Sequence, residues 1–306
     1  MKQECAVRIA HLPFHSVGFF KRLANALYVL ATRYDINHIS GDVHYIAIFM
    51  RKRKSILTIH DLEILKRTSG MRHRAIKFFW FTLPVRRVRF ITVISEATRN
   101  ELLQHVSVSP DKIRVIYNCL PGKMMFQPKP FSSEKPMILQ VGTKQNKNIP
   151  RLLEAIKGIP CKLVILGKVP VDVQQLLNQF DIDYETVQNL SPDEVVALYV
   201  RADMLAFVST EEGFGIPILE AQATGRPVVT SNISSMPEVA GEGAVFVDPY
   251  NIESIREGIL RIINEPALRD SIVQKGFENI KRFTPEKIAA QYVALYREVL
   301  EEVVSI

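Results

Sequence analysis

Along the second half of the chain, short runs of consecutive apolar residues alternate with stretches in which apolar positions recur every three to four residues. The runs at 137–141, 162–166, 204–208, 228–231 and 244–247 predict strands, and the segment around Tyr184 is strand-like. Residues 149–157, 171–180, 193–201 and 216–224 predict helices, the third opened by Pro192. Strands that are apolar at every position, and not at alternate ones, suit a parallel sheet covered on both faces. This half therefore reads as a doubly wound α/β domain.

The first half repeats the rhythm less regularly. Strands are expected at 7–11, 55–59, 90–94 and 113–117, with helices near 19–32, 72–81 and 96–105. Residues 127–136 hold three prolines among polar side chains and read as an exposed linker. The expected organisation is a short first α/β domain, 1–128, a second domain, 129–283, and a C-terminal helix, 284–306. Helices 252–264 and 266–283 precede that last one, which starts at Pro285 behind the N-cap Thr284.

With 47% hydrophobic and 23% charged residues among 306, the composition is that of a folded globular chain, and disorder is excluded. No apolar run reaches the roughly 18–20 residues of a membrane span, and residues 1–5 lead into no signal-peptide core, so the expected location is the cytoplasm. Cys5, Cys119 and Cys161 are too few and too scattered for a disulfide framework or a CxxC metal site; partly buried, reduced thiols are expected. Charge is unevenly divided. Residues 1–130 carry 22 Lys plus Arg against 8 Asp plus Glu, a net +14, and the remainder 17 against 24, a net −7. A basic half facing an anionic partner follows: a phospholipid surface, a lipid diphosphate, an anionic glycan or nucleic acid.

The densest candidate chemistry lies at 209–227. Gly213 and Gly215 allow a sharp turn close to a ligand, and Pro217 fits a first helical turn, where its missing N–H costs nothing. The unpaired N–H groups of such a helix start attract phosphate and hydroxyl oxygens. Glu212 precedes that start and Glu220 sits one turn inside it, placed to accept hydrogen bonds from sugar or ribose hydroxyls; Gly225 ends the helix. Other chemistries lack their signatures. There is no GxGxxG, no GxxxxGK[ST] and no HExxH, and all seven histidines precede residue 106 without a metal-ligand pattern. Asp181-Ile-Asp183 reads as a solvated junction and not as a cation site.

The Glu212 to Glu220 spacing occurs together with Gly142-Thr-Lys-Gln-Asn-Lys147, Tyr199-Val-Arg-Ala-Asp203, Gly225-Arg-Pro-Val-Val229, Met236-Pro-Glu-Val-Ala-Gly241, Val247-Asp-Pro249 and Arg282-Phe-Thr284. In this combination the chain resembles glycosyltransferase family 4, retaining enzymes of GT-B fold, from about residue 88 to 300. The resemblance implies two doubly wound Rossmann-like domains facing across a cleft, with C-terminal helices packing back toward the first. It further implies a nucleoside-diphosphate sugar as donor and no metal or other cofactor.

Residue by residue, the resemblance places Glu220 on the ribose hydroxyls, Glu212 beside the transferred sugar, and Lys147 on the leaving diphosphate. Main-chain N–H groups of Phe214, Gly215 and Ile216 would meet sugar or phosphate oxygens, while the Phe214 side chain either contributes or packs. Gly142, Thr143 and Lys144 complete the donor loop; relatives carry an arginine where this chain has Thr143 or Asn146. Main chain near Gly167 and Leu190 would line the base pocket. In the first domain, Ser55 to Asp61 resembles the strand that delivers a histidine, here His60, with Asp61 either orienting the imidazole or capping the next segment. Glu211 reads as a turn residue. The family's opening strand and glycine-rich loop are reduced here to His15-Ser-Val-Gly18, so either the subfamily is compact or an N-terminal segment is missing.

The implied reaction is transfer of a hexose-type sugar to a hydroxyl acceptor, in cell-surface polysaccharide or lipid-linked glycan assembly. Two rivals stand beside it: a nucleotide-sugar epimerase of the same fold and a non-catalytic nucleotide-sugar-binding subunit. The basic half adds a partner. Arg51 to Lys54 and the stretch 72–89, which holds Phe78, Phe79, Trp80 and Phe81, read either as an interface with an anionic membrane or as a core helix with a solvated basic rim. Nucleic acid is not expected, since no RNA-binding signature accompanies the aromatics.

Overall fold

The computed structural model describes residues 6–32 and 34–304. Two compact units emerge, one of Met1–Tyr117 with Ile288–Ile306 and one of Asn118–Lys287. The first contains strands β1 (Asn37–Ile39), β2 (Ser55–Ile59), β3 (Phe90–Val93) and β4 (Ile113–Val115), all parallel and in chain order. The second contains β5 (Met137–Val141), β6 (Lys162–Leu166), β7 (Tyr184–Val187), β8 (Met204–Phe207), β9 (Val228–Ser231) and β10 (Val245–Val247). Their order is β10-β9-β8-β5-β6-β7, again parallel throughout, so the chain starts in the middle and winds outward both ways.

In the second sheet the all-apolar strands behave as their composition dictates. Leu163, Val164, Ile165, Leu205, Ala206, Phe207, Val228 and Val229 are all fully buried, which requires helices on both faces. The expected linker is not a free tether. Its carbonyl at Gln127 accepts from Arg226 Nη2 at 2.7 Å, and the buried Asp203 carboxylate accepts from the Ser132 N–H (3.2 Å) and the Met137 N–H (2.8 Å) and pairs with Lys129. A buried carboxylate needs several donors; two come from this segment and the third from the first residue of β5, so the segment is strapped onto the second unit. The units accordingly divide at Tyr117 and Asn118, ahead of the prolines.

Uniform strand order in the first sheet makes every crossover step the same way, which directs the connecting segments to one face. That face packs Leu57, Ile59, Ile91 and Val93 against Phe81, Val85 and Leu102. The alternate residues Ile56 and Phe90 point to the other face, where Ile116 and three residues of the C-terminal helix Pro285–Val304 cover them: Ile288, Leu295 and Val299. The return of the last helix to the first unit, implied by the family resemblance, is thus what buries the second side of this sheet.

Three expectations are corrected. Residues 7–11 form no strand: Val7 and Ile9 are 78% and 79% exposed, and apolar alternation without a ladder partner does not make a strand. Cys119 is exposed, while Cys161 is buried and its thiol pushed up to about 11 by desolvation; Cys5 lies outside the described residues. The helix expected at 72–81 runs instead from Gly70 to Arg87, through a π turn at Lys77–Thr82 and past Pro84. Pro84 has no N–H to give the Trp80 carbonyl four residues back, and His44 Nδ1 donates to it at 3.0 Å instead.

That bond needs a proton on Nδ1 and by itself favours the charged ring, but burial outweighs it and lowers this imidazole to about 4, so the ring is neutral with its proton on Nδ1. His38, bonded at 2.7 Å to both Tyr296 Oη and Thr58 Oγ1, is lowered to about 4 for the same reason. An unfolded chain takes up protons at both rings below about pH 6.5, whereas the folded chain does so only near 4. Acid therefore favours the unfolded chain. Stability is complete above pH 6.5 and falls toward pH 4, by up to ~3 kcal/mol per ring. Thermal midpoints recorded from pH 7.5 to 4 should show this decline, and a flat profile would contradict it.

Candidate active site

In the second unit β5 and β8 are neighbours at the point where the strand order reverses. The carboxyl ends of two such strands flank a crevice into which their loops project. Gly142 follows β5 with φ +85°, and a methyl group there would lie 2.8 Å from Lys147 Cε. Only glycine lets the loop fold the lysine stem back across its own start. Lys147 Nζ then lies 2.6 Å from Glu212 Oε1 and 4.6 Å from the centre of the Phe207 ring, with both charged side chains at least 85% hidden.

Glu212 sits on the loop after β8, and the loop after β9 clamps it. The Glu212 N–H donates to Ser234 Oγ at 3.2 Å, and its carbonyl accepts from the Ser234 and Ser235 hydroxyls at 2.8 and 2.9 Å. Ser235 also donates to the Phe214 carbonyl at 2.7 Å. Gly215, at φ +113°, turns the chain into the helix Ile216–Ala223; the Ile218 N–H donates back to the Gly215 carbonyl at 3.0 Å, and the other N–H groups of the first turn have no carbonyl within the helix to bond. Pro217 occupies this first turn. Glu220 follows on the same helix, and its Oε2 accepts from Tyr199 Oη at 2.6 Å. Burial raises the Glu220 carboxyl above its ordinary value, opposed by this bond, and pushes the buried Tyr199 phenol well above 10. The proton accordingly belongs to the tyrosine, which holds one carboxylate oxygen in place.

Gly167, at φ +137°, ends β6, and a methyl there would stand 3.0 Å from Thr143 Cγ2, so the first two strand-end loops touch. Leu190 is half-buried after β7, Thr143 is half-buried and Lys144 exposed. All the residues expected on the donor therefore lie on the carboxyl-end loops of β5 to β8 or on the helix that follows them. Lys147 and Glu212 meet directly. The Phe214 side chain packs: it is buried and edge-on to Phe283 at 5.8 Å, leaving its main chain as the part that can serve a ligand.

His60 belongs to the other unit, at the carboxyl end of β2. It is exposed, and its Nε2 donates to the Ser40 carbonyl at 2.8 Å. Asp61 accepts from the Glu63 N–H at 3.0 Å, the capping role of its two alternatives. Asp183 pairs with Lys135 at 2.7 Å, Asp181 occupies a left-handed turn at φ +52°, and no three His, Cys, Asp or Glu side chains converge as a metal-ligand group among the described residues.

Four residues hold the site through contacts that sequence spacing does not show: Tyr199, Ser234, Ser235 and Asn146. The contact of Tyr199 with Glu220 spans 21 positions that sequence spacing does not connect. Ser234 and Ser235 reach the Glu212 carbonyl from 22 and 23 positions further along the chain. Asn146 was marked as lacking a charge, without a role in view.

Residues 123–279 match the family model for glycosyl transferases group 1, and residues 5–121 match that for glycosyltransferase family 4. The chain belongs to this glycosyltransferase family. Among its relatives, O-antigen chain mannosyltransferase B of Escherichia coli is 26% identical over 274 residues, covering 81% of this chain and 71% of the relative. N-acetyl-alpha-D-glucosaminyl L-malate synthase of Bacillus anthracis is 23% identical, covering 88% and 76%. Among solved structures, sucrose-phosphate synthase from Thermosynechococcus elongatus superposes with a TM-score of 0.79 at 20% identity, covering 92% of this chain and 77% of that one. Anabaena HepE in complex with UDP-glucose gives 0.75 at 15% identity, covering 94% and 84%. This glycosyltransferase thus has the GT-B fold, built from two parallel α/β units. No helix among its described residues is long and apolar enough to cross a membrane.

Proposed function

We propose that this glycosyltransferase moves a hexose-type sugar from a nucleoside diphosphate to a hydroxyl acceptor, with retention at the anomeric carbon and without a metal. The observation that carries the reading is the meeting of Lys147 and Glu212, from loops 65 positions apart, at the strand-order reversal, on the loop that leads into helix Ile216–Ala223. A lysine beside a helix N-terminus supplies what a departing diphosphate needs: a point charge and oriented N–H dipoles already in place before the bond breaks. Glu212 would face the positive charge developing on the anomeric carbon, and Glu220, steadied by Tyr199, would accept from the ribose hydroxyls. Gly142, Thr143, Gly167 and Leu190 offer main chain to the rest of the nucleotide, with Lys144 at the rim. The acceptor hydroxyl would then attack the face from which the diphosphate leaves, its proton passing to an oxygen of the departing phosphate, and His60 is assigned to the transferred sugar.

A relative that is an O-antigen chain mannosyltransferase and a neighbour solved with UDP-glucose support a nucleotide-sugar donor and a role in surface-glycan assembly. Incubation with UDP-glucose, UDP-N-acetylglucosamine and GDP-mannose in EDTA tests the reading. Slow release of free nucleoside diphosphate is expected from one of them. An epimerised donor would favour the epimerase, and binding without turnover the non-catalytic subunit.

The first unit also suits an anionic membrane. Residues 64–95 contain no acidic residue, and Met71, Phe78 and Phe79 are 85%, 46% and 51% exposed among the exposed Arg72, Arg74, Arg86 and Arg87. Of the four aromatics expected at the interface, two are not available. Phe81 is buried and Trp80 stacks under Arg22 beside Tyr45, so Phe78 and Phe79 alone of the four aromatics are open to lipid. Each cation near such a surface contributes ~1 kcal/mol. Co-sedimentation with phosphatidylglycerol vesicles, but not with phosphatidylcholine ones, is expected and should fall with added salt; equal recovery with both lipids would remove the surface from the proposal.

A further inference from the structure

Asn146 stands immediately before Lys147, at a place where the resemblance leads one to expect a second cation. The structure shows what the neutral side chain does there. Its Nδ2 donates to the Glu211 carbonyl at 2.8 Å and to Glu212 Oε1 at 3.3 Å. Only the nitrogen of the amide can serve two acceptors, so its orientation is fixed. The main chain is fixed as well, because the Asn146 carbonyl accepts from the Thr210 N–H at 2.8 Å and from the Thr210 hydroxyl at 3.4 Å. Asn146 therefore ties the loop after β5 to the loop after β8 through both backbone and side chain. Its Oδ1 is buried and has no hydrogen-bond partner among the described residues. Such an atom costs stability, and the arrangement carries that cost while keeping Nδ2 aimed at Glu212.

The same carboxylate oxygen also receives Lys147 Nζ at 2.6 Å. On the reading given under Proposed function, on which this inference rests, Lys147 must turn to the diphosphate during the reaction. Glu212 then loses its strongest partner at the moment when positive charge develops on the sugar. We propose that Asn146 is a positioning residue that keeps the Glu212 carboxylate aimed at the sugar while Lys147 is drawn to the leaving group. A neutral donor suits this task. It orients the carboxylate without cancelling its charge, and it does not compete with Lys147 for phosphate oxygens. An arginine at the same position would do both.

A double-mutant cycle tests the assignment, with release of nucleoside diphosphate from the donor that the wild-type protein hydrolyses as readout. Asn146→Ala is expected to lower kcat about tenfold to hundredfold, the effect of one hydrogen bond to a charged group, with KM within about twofold. In the Glu212→Ala background the same change should alter kcat by less than about twofold. Asn146→Asp, equal in size but unable to donate, should be at least as slow as Asn146→Ala. Affinity for free UDP, measured by calorimetry, should stay within about threefold of wild type in both and so report a folded site. If Glu212→Ala slows the enzyme and Asn146→Ala slows both backgrounds by the same factor, the positioning role is overturned and the site reading stands. A Glu212→Ala variant with wild-type kcat would instead overturn the site reading. A matching rise in KM, or loss of UDP affinity in both Asn146 variants, would show that Asn146 merely staples the loops, against the proposal.

Discussion

Lys147→Ala is expected to lower kcat for donor breakdown by ~10²–10³-fold, the usual cost of removing one preorganised stabiliser of a developing negative charge. The structure makes this loss specific. Lys147 Nζ is held beside Glu212 and above the Phe207 ring, at the carboxyl end of the central strands, by a loop that only Gly142 permits. Alanine leaves the helix start of Ile216–Ala223 intact but removes the only full positive charge shown at the Glu212 carboxylate among the described contacts. Ground-state binding should suffer less than turnover, because charge on the diphosphate grows as the glycosidic bond breaks. Steady-state kinetics with saturating donor check the prediction. A variant within threefold of wild-type kcat would take Lys147 out of the reaction.

The second large effect belongs to affinity. Glu220→Ala should weaken binding of a nucleoside diphosphate by ~10–100-fold, since hydrogen bonds to a charged group contribute ~1.5–3 kcal/mol. The same substitution strands the buried Tyr199 hydroxyl, which bonds Glu220 at 2.6 Å, so some stability is lost with it. Glu220→Gln separates the two consequences. Its amide oxygen still accepts from Tyr199, so the thermal midpoint should recover while nucleotide affinity recovers only in part. Calorimetric titration with UDP and GDP reads the binding term. Unchanged affinity in Glu220→Ala would remove the ribose assignment.

The second sheet was legible because its inner strands, β5, β6, β8 and β9, are buried on both faces, and burial on both faces leaves short runs of apolar residues between the helical segments. The first sheet was harder to read. Its β1 is three residues long with only Ile39 buried, whereas Val7 to His11 carries the alternation of a strand without a neighbour to pair with. The helix expected at 72–81 continues past Pro84, and the distant His44, which donates to the Trp80 carbonyl, supplies the bond that the proline cannot. Prolines near 130 suggested a tether, but Asp203, some seventy residues away, decides that the segment is bound. At the site, the motif marked Lys147, Glu212 and Glu220, and the structure brings the first two into contact. What fixes their side chains was hidden: Tyr199, Asn146, Ser234 and Ser235 act through contacts between separate loops, and local patterns carry no trace of those.

The return of Ile288, Leu295 and Val299 to the first sheet has a bearing on biogenesis. During translation the apolar side formed by Ile56 and Phe90 stays uncovered while the entire second unit is being made, and it is sealed only when residues 288–299 leave the ribosome. For all that time a nascent chain offers a sticky surface of the type that holdase chaperones recognise, so a premature stop shortly before Ile288 would harm the part of the protein made first more than the part made last.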